Sequence, residues 1–335
     1  MLITVQGSRD KWNSSPSVVG VLATLNAVSL GRKTIILQFI DKNPNYCIEK
    51  MMYHTEESAI EFSTLTNGID ALIRHREGGR ASKDTFEDYC KPLLSQDNLL
   101  DIAESSNKME FTREMESFDR KNAIFGLIED AKHIYDDIYV LLSPMATTAN
   151  AEITEKADVN IVCVPQSKEK LQHKTAKTRI VVTDYDNTSM YAIKYLQKHH
   201  GVKNIYVMPH NIGFKDAKIG GTLLEFITKN KNDDKSDINY NFITCMYQLL
   251  SSVTGTEVVV KQDYEDLINK KPYYKTLADL RRLNAENVKK ITVKNGLFKK
   301  KQKTVIVEEE AVEAGEEVTD TEAVDTDNAS DTYEE

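Results

Sequence analysis

Short apolar runs alternate with stretches of helical spacing along the first two-thirds of the chain. Leu2-Ile3-Thr4-Val5 reads as an opening strand, and Gly7 to Ser15 is polar and turn-like. Ser15-Pro16 reads as a helix start, with Ser15 as N-cap and Pro16 at the first helical position. Val18, Val19, Leu22 and Leu25 follow at helical spacing. Gly31 ends that helix, and Thr34-Ile35-Ile36-Leu37 is the next buried strand. Residues 45–135 are mostly polar and helical, broken at Gly78-Gly79. Further strands are expected over Tyr135–Ser143, Val159–Val164 (ended by Pro165), Arg179–Thr183 and Asn204–Met208, with helices over 167–177, 187–200 and 216–229. Strands alternating with helices predict an α/β fold, a mainly parallel sheet with helices on both faces.

The pattern changes near residue 230, which predicts three parts: an α/β domain over 1–230, a C-terminal extension over 231–307, and an acidic tail over 308–335. In the extension, 229–237 reads as a charged loop, 240–252 and 274–290 as helices, and Ile291–Val307 as a hairpin around Asn295-Gly296. The tail is poor in aromatics and is expected to be disordered. No internal repeat is present.

Charge sharpens this division. The chain carries −9 at neutral pH, yet residues 304–335 hold thirteen carboxylates and no Lys or Arg, leaving +4 on the remainder. So small a charge neither demands nor excludes a nucleic-acid partner. The basic run Phe298 to Lys303, with Lys299, Lys300, Lys301 and Lys303, is the one candidate for peripheral contact with DNA or an anionic membrane. No apolar run has the length of a membrane span. The N-terminus turns polar too soon for a signal peptide, so a cytoplasmic protein is expected. Cys47, Cys90, Cys163 and Cys245 stand without pairing or metal-binding spacing and read as reduced, partly buried thiols. His199-His200 reads as a solvated helix end rather than a metal clip, because adjacent helical residues point apart.

The strand–loop–helix–strand unit at the N-terminus is the setting in which phosphate-binding loops occur. Its loop, Gly7-Ser8-Arg9-Asp10-Lys11-Trp12-Asn13-Ser14-Ser15, lacks the spacing G-x-x-x-x-G-K-[ST] and on local evidence is only a polar connection. In rhythm and length, however, ITVQGSRDKWNSSPSVVGVLATLNAVSLGRKTIILQF resembles the opening of the ParA/MinD group of P-loop (SIMIBI-class) ATPases. Two later stretches share the likeness. YDDIYVLLSPMATTANAEITEKADVNIVCVPQSKEKLQ resembles the group's Walker B and switch II region through Tyr135, Asp136, Ile138, Pro144, Ala157 and Asp158. VKNIYVMPHNIGFKDAKIGGTLLEFI resembles its segment beside the nucleotide base through Pro209, Phe214, Ala217 and Gly220 or Gly221. The middle region, GIDALIRHREGG and DNLLDIAES, is most similar to the TadZ/CpaE type, atypical members that position secretion or pilus machinery.

The resemblance implies a P-loop NTPase-like sheet whose nucleotide site is degenerate. The vestigial phosphate loop would be Gly7, Ser8, Arg9, Lys11, Ser14 and Ser15. Arg9 takes the place of the signature lysine, Asp10, Lys11 and Asn13 those of glycines, Ser14 that of the catalytic lysine, and Ser15 that of the magnesium-binding hydroxyl. Leu141 falls where the Walker B aspartate belongs. The paired aspartates after the second strand fall on Gln38 and Ile40, with Asp41 one step later as a substitute. Pro209 would stand beside the base, while the group's base-reading asparagine falls near Thr183-Asp184. No catalytic residue and no metal ligand is expected, and no cofactor, or weakly bound ATP or ADP at most.

The first functional expectation is therefore a non-hydrolysing homodimeric scaffold that positions a secretion, conjugation or partition complex through protein partners. The second is a divergent active ATPase of partition or septum placement, with Arg9 or Lys11 as surrogate cation and Asp41 as surrogate carboxylate. The third is a DNA- or membrane-surface module built on residues 289–303.

Overall fold

The structure is a computed structural model that describes residues 1–8, 11–41, 43, 45–53, 68–79, 83–94, 99–167, 175–202 and 204–257. The predicted helix 274–290, the hairpin, the basic run and the acidic tail lie outside the described residues.

Among the described residues, eight strands form one sheet in the order β3-β4-β2-β5-β1-β6-β7-β8. They are β1 (Leu2–Gly7), β2 (Thr34–Phe39), β3 (Lys91–Pro92), β4 (Leu100–Ile102), β5 (Asp137–Leu142), β6 (Val159–Pro165), β7 (Thr178–Tyr185) and β8 (Ile205–Pro209). Every pairing is parallel except β3 with β4, at one edge. In β2 and β5 every residue is buried, which is why they read as unbroken apolar runs rather than alternating ones. The α/β class with helices on both faces is as the sequence predicts.

One face is covered by α1 (Ser15–Leu30), α2 (Ile48–Met52), α10 (Leu223–Asn230) and α11 (Tyr240–Thr254). The other is covered by α3 (Gly68–Glu77), α4 (Lys83–Tyr89), α5 (Phe111–Glu114), α6 (Phe118–Lys132) and α7 (Thr148–Lys156), with α8 (Ile193–His200) over β7 and β8. Helix α1 is buried nearly all round and so shows no amphipathic stripe. It is held between the sheet and α2, α10 and α11. At Gly20 an added Cβ would meet Leu223 and Met52 at 3.1 Å, so glycine lets α10 and α2 approach this closely.

Several local expectations are corrected. Helix α1 begins at Ser15 itself, with Ser14 as its N-cap in a left-handed conformation. The helix expected over 216–229 is two, α9 (Ile212–Ile219) and α10, broken where Gly221 takes a φ of 68°. The helix expected from 187 starts at Ile193, because the Asp186 carboxylate accepts the Thr188 amide and hydroxyl and fixes a turn there. Residues 175–177 are not helical, and Thr178 instead closes a turn onto Thr175. Strands β3 and β4 fall inside the stretch read as mostly helical.

Helix α11 lies beyond the boundary read at residue 230, yet it packs against β8 and α1, and Phe242, Met246, Leu249 and Leu250 belong to the main apolar cluster. Among the described residues, no helix is long and apolar enough to cross a membrane.

Candidate nucleotide site at the carboxyl ends of the strands

The loop between β1 and α1 leaves the carboxyl end of a central strand, where open α/β sheets bind ligands. In a working phosphate loop the backbone N–H groups point at the anion. Here the loop folds onto itself. The Lys11 amide donates to the Ser8 carbonyl at 3.1 Å and the Ser15 amide to the Trp12 carbonyl at 2.9 Å, so both donors are spent on the loop's own carbonyls. The Lys11 carbonyl lies over Gly7 so closely that a Cβ there would sit 1.7 Å from its oxygen, a contact only glycine permits.

Asn13 completes the closure. Its Nδ2 faces the Ser8 Oγ at 3.0 Å, the Cys163 carbonyl at 3.2 Å and the Ser8 carbonyl at 3.3 Å. Asn13 and Ser14 both take positive φ, 44° and 58°, a conformation that costs an L-residue about 1–2 kcal/mol. Trp12 stacks on Tyr46 with centroids 4.7 Å apart and packs against the main core. The Lys11 side chain is exposed, Gly7 is buried, and Ser8 and Ser14 are half-buried. Arg9 and Asp10 lie outside the described residues. Ser15 is fully buried, and its Oγ has no hydrogen-bond partner.

The flanking positions are equally committed. Leu141 is fully buried in the main apolar cluster, in register with Val5 and Gln38. Gln38 is also buried: it donates to Glu49 at 2.7 Å and to the Ala103 carbonyl at 3.2 Å, and accepts the Ile48 amide at 2.9 Å. Glu49 also accepts from the Ser105 hydroxyl and amide. This network fastens the start of α2 to the ends of β2 and β4. Asp41 accepts the Thr112 amide at 2.6 Å, at the first turn of α5.

As arranged, these residues do not fit a magnesium–nucleotide. The Lys11 and Ser15 amides are bonded within the loop, and Leu141, which the resemblance sets at the Walker B position, is apolar and fully buried. Only the unpartnered Ser15 hydroxyl has the character the group would use.

At the other end of the row, β7 bulges between Val182 and Tyr185, and exposed Asp184 takes a φ of 51°. Gln166, just past β6, bonds the Asp186 backbone from both sides, donating to its carbonyl and accepting its amide at 2.9 Å each, and also donates to the Tyr191 carbonyl. Pro209 ends β8 and lines a cavity of about 340 Å³ with Tyr185, Asp186, His210, Asn211 and Phe242. The cavity is bounded by the ends of β7 and β8 and by α11, and none of the described residues of the β1–α1 loop lines it.

Sequence reasoning brought Gly7, Ser8, Lys11, Ser14 and Ser15 to one loop, while Asp41 and Pro209 stand at other strand ends. It gave no role to Asn13 or Tyr46, the residues that close the loop and seat Trp12. An asparagine at a glycine position was the available signal for the first; nothing local marked the second. All four thiols are buried, and burial pushes them up, Cys47 to about 11 and Cys245 to about 12. Among the described residues, no group of three or more His, Cys, Asp or Glu is placed to hold a metal ion.

The sequence matches no protein-family model and no curated protein. Solved structures do match. A ParA family ATPase from Chlorobium tepidum aligns with a TM-score of 0.53 at 11% identity, over 68% of this chain and 92% of its own. The cell division ATPase MinD of Pyrococcus furiosus aligns with a TM-score of 0.51 at 11% identity, over 76% and 98%. The septum site-determining protein MinD of Pyrococcus horikoshii, complexed with Mg-ADP, aligns with a TM-score of 0.51 at 14% identity, over 77% and 99%. These likenesses, at 11–14% identity, show the fold alone: the mostly parallel sheet with helices on both faces is the fold of the ParA/MinD-type ATPases.

Proposed function

We propose that this chain is a non-hydrolysing scaffold of ParA/MinD-type fold, which positions or assembles a partner complex of partition, secretion or conjugation machinery as a homodimer. The observation that carries the reading is the closed β1–α1 loop, whose Lys11 and Ser15 amides are bonded to the loop's own carbonyls. The burial of Leu141 and the engagement of Gln38 support it from two further strands. Phosphoryl transfer relies on positioned cations and metal-holding carboxylates around the transferring group, and here Leu141 and Gln38, which the resemblance sets at two of the carboxylate positions, are buried and given to packing and to the start of α2. Purified full-length protein is expected to release no phosphate from ATP in magnesium above a buffer blank, and Lys11→Ala to leave that unchanged. Turnover that Lys11→Ala abolishes would sink the reading.

One observation favours a divergent ATPase instead: the buried Ser15 hydroxyl has no hydrogen-bond partner within the protein, the character expected of a hydroxyl that ligates a metal ion. The two readings part at Ser15→Ala. In the scaffold the substitution removes an unsatisfied buried group and leaves stability equal or slightly higher. In an ATPase it weakens magnesium-dependent nucleotide binding, which calorimetric titration of ATP with and without magnesium reads directly.

A further inference from the structure

We infer that the Asn13 side chain is a built-in latch that keeps the β1–α1 loop closed without any ligand, and that Trp12 is the part of the loop it holds in place. The inference rests on the reading of the β1–α1 loop proposed above and names what ties its described residues, 7–8 and 11–15, together. Three acceptors converge on the one Nδ2 of Asn13: the hydroxyl and carbonyl of Ser8, at the start of the loop, and the carbonyl of Cys163, near the end of β6. The last is 150 residues away in sequence. The amide therefore ties the two ends of the loop to each other and the loop to the neighbouring strand. An amide has two hydrogens for these acceptors.

The direction of the bonds matters. An entering anion brings acceptors only. It would need the Lys11 and Ser15 amides, which close turns onto Ser8 and Trp12, and those turns are held in register by the Asn13 bridge. The left-handed backbone at Asn13 and Ser14 is strained for non-glycine residues and persists only where surrounding contacts fix it. Asn13 supplies those contacts on one side. On the other, Trp12 stacks on Tyr46, and Tyr46 stands two residues before α2, whose first amide is held by Gln38. Latch, tryptophan and α2 are thus joined through contiguous contacts, and release of Asn13 frees Trp12 from Tyr46.

Trp12 is the single tryptophan of the chain, so its fluorescence in the full-length protein reports the latch without a label. Asn13→Asp keeps the shape but replaces both donor hydrogens with charge facing two carbonyls. Asn13→Gly removes the side chain and relieves the positive φ, and so guards against a variant that fails to fold; far-UV circular dichroism confirms folding. The expected result is a red shift of Trp12 emission and stronger acrylamide quenching in both variants, with wild type unaffected by magnesium pyrophosphate. Emission and quenching unchanged in folded Asn13→Asp and Asn13→Gly would overturn the latch, as would opening of the wild-type loop by pyrophosphate. ATP turnover by the wild type is a separate result: it would remove the scaffold reading and leave the fluorescence test of the latch intact.

Discussion

Leu141 shows most sharply how one residue decides what this site can do. A carboxylate at this position would be enclosed by the main apolar cluster. An unpaired buried charge costs on the order of 3–5 kcal/mol, so Leu141→Asp is expected to lower the urea midpoint of unfolding by a corresponding amount rather than to restore a metal site. Unchanged stability would mean that the position opens to solvent or to an ion. The thiols make a second residue-scale prediction. All four are buried and raised above the ordinary thiol range, and the thiolate is the reactive form. Ellman's reagent should therefore react slowly with the native protein at neutral pH and with all four thiols on unfolding. Fast native reaction of any one would place it at the surface. Leu141 and Gln38 were picked out in the sequence only by the resemblance, which sets them where carboxylates would stand; the structure shows that both are buried. The work of Asn13 was not, because its partner Cys163 is distant in sequence and only the parallel pairing of β1 with β6 brings them together.

Elements respond through their caps. Glu116 accepts the Thr148 hydroxyl and the Ala149 amide at the start of α7, and these hydrogen bonds hold its carboxyl below the usual range. A depressed carboxyl contributes stability above its unfolded pKa and loses it as pH falls through the folded value. Amide exchange of residues 148–151 should thus be slower in wild type than in Glu116→Gln at neutral pH, with the difference closing at acid pH. A pH-independent difference would show that charge is not the cause. Asp101 has the opposite sign: burial raises its carboxyl despite the bond from the Tyr135 hydroxyl, so its contribution is present at low pH and is lost as pH rises through the raised value. The same residue explains a missed element. Strand β4 is three residues long with Asp101 at its centre, and a polar residue there breaks the apolar run that a strand reading needs. The break between α9 and α10 was hidden differently, since glycine within a helical pattern is often tolerated; the φ of Gly221 decides it.

For the molecule as a whole, the sheet was legible because its central strands are continuous apolar runs, and the limits of its body were not. Helix α11 follows a charged loop and so reads as separate, yet Phe242 meets Phe214 and Phe226 in one aromatic cluster. Fully burying such a side chain contributes about 1.5–3 kcal/mol, and several leave the core together if α11 is removed. Truncation after Asn239 is therefore expected to abolish cooperative unfolding. A truncated chain that still unfolds in one sharp transition would show that the sheet is complete without α11. The central claim is that this chain keeps the ParA/MinD-type fold with a phosphate loop that does no hydrolysis. Single-turnover chemistry tests it most directly: full-length protein in molar excess over radiolabelled ATP with magnesium, followed for phosphate release. The account predicts release no faster than in buffer. Magnesium-dependent release of stoichiometric phosphate, lost in Ser15→Ala, would contradict it.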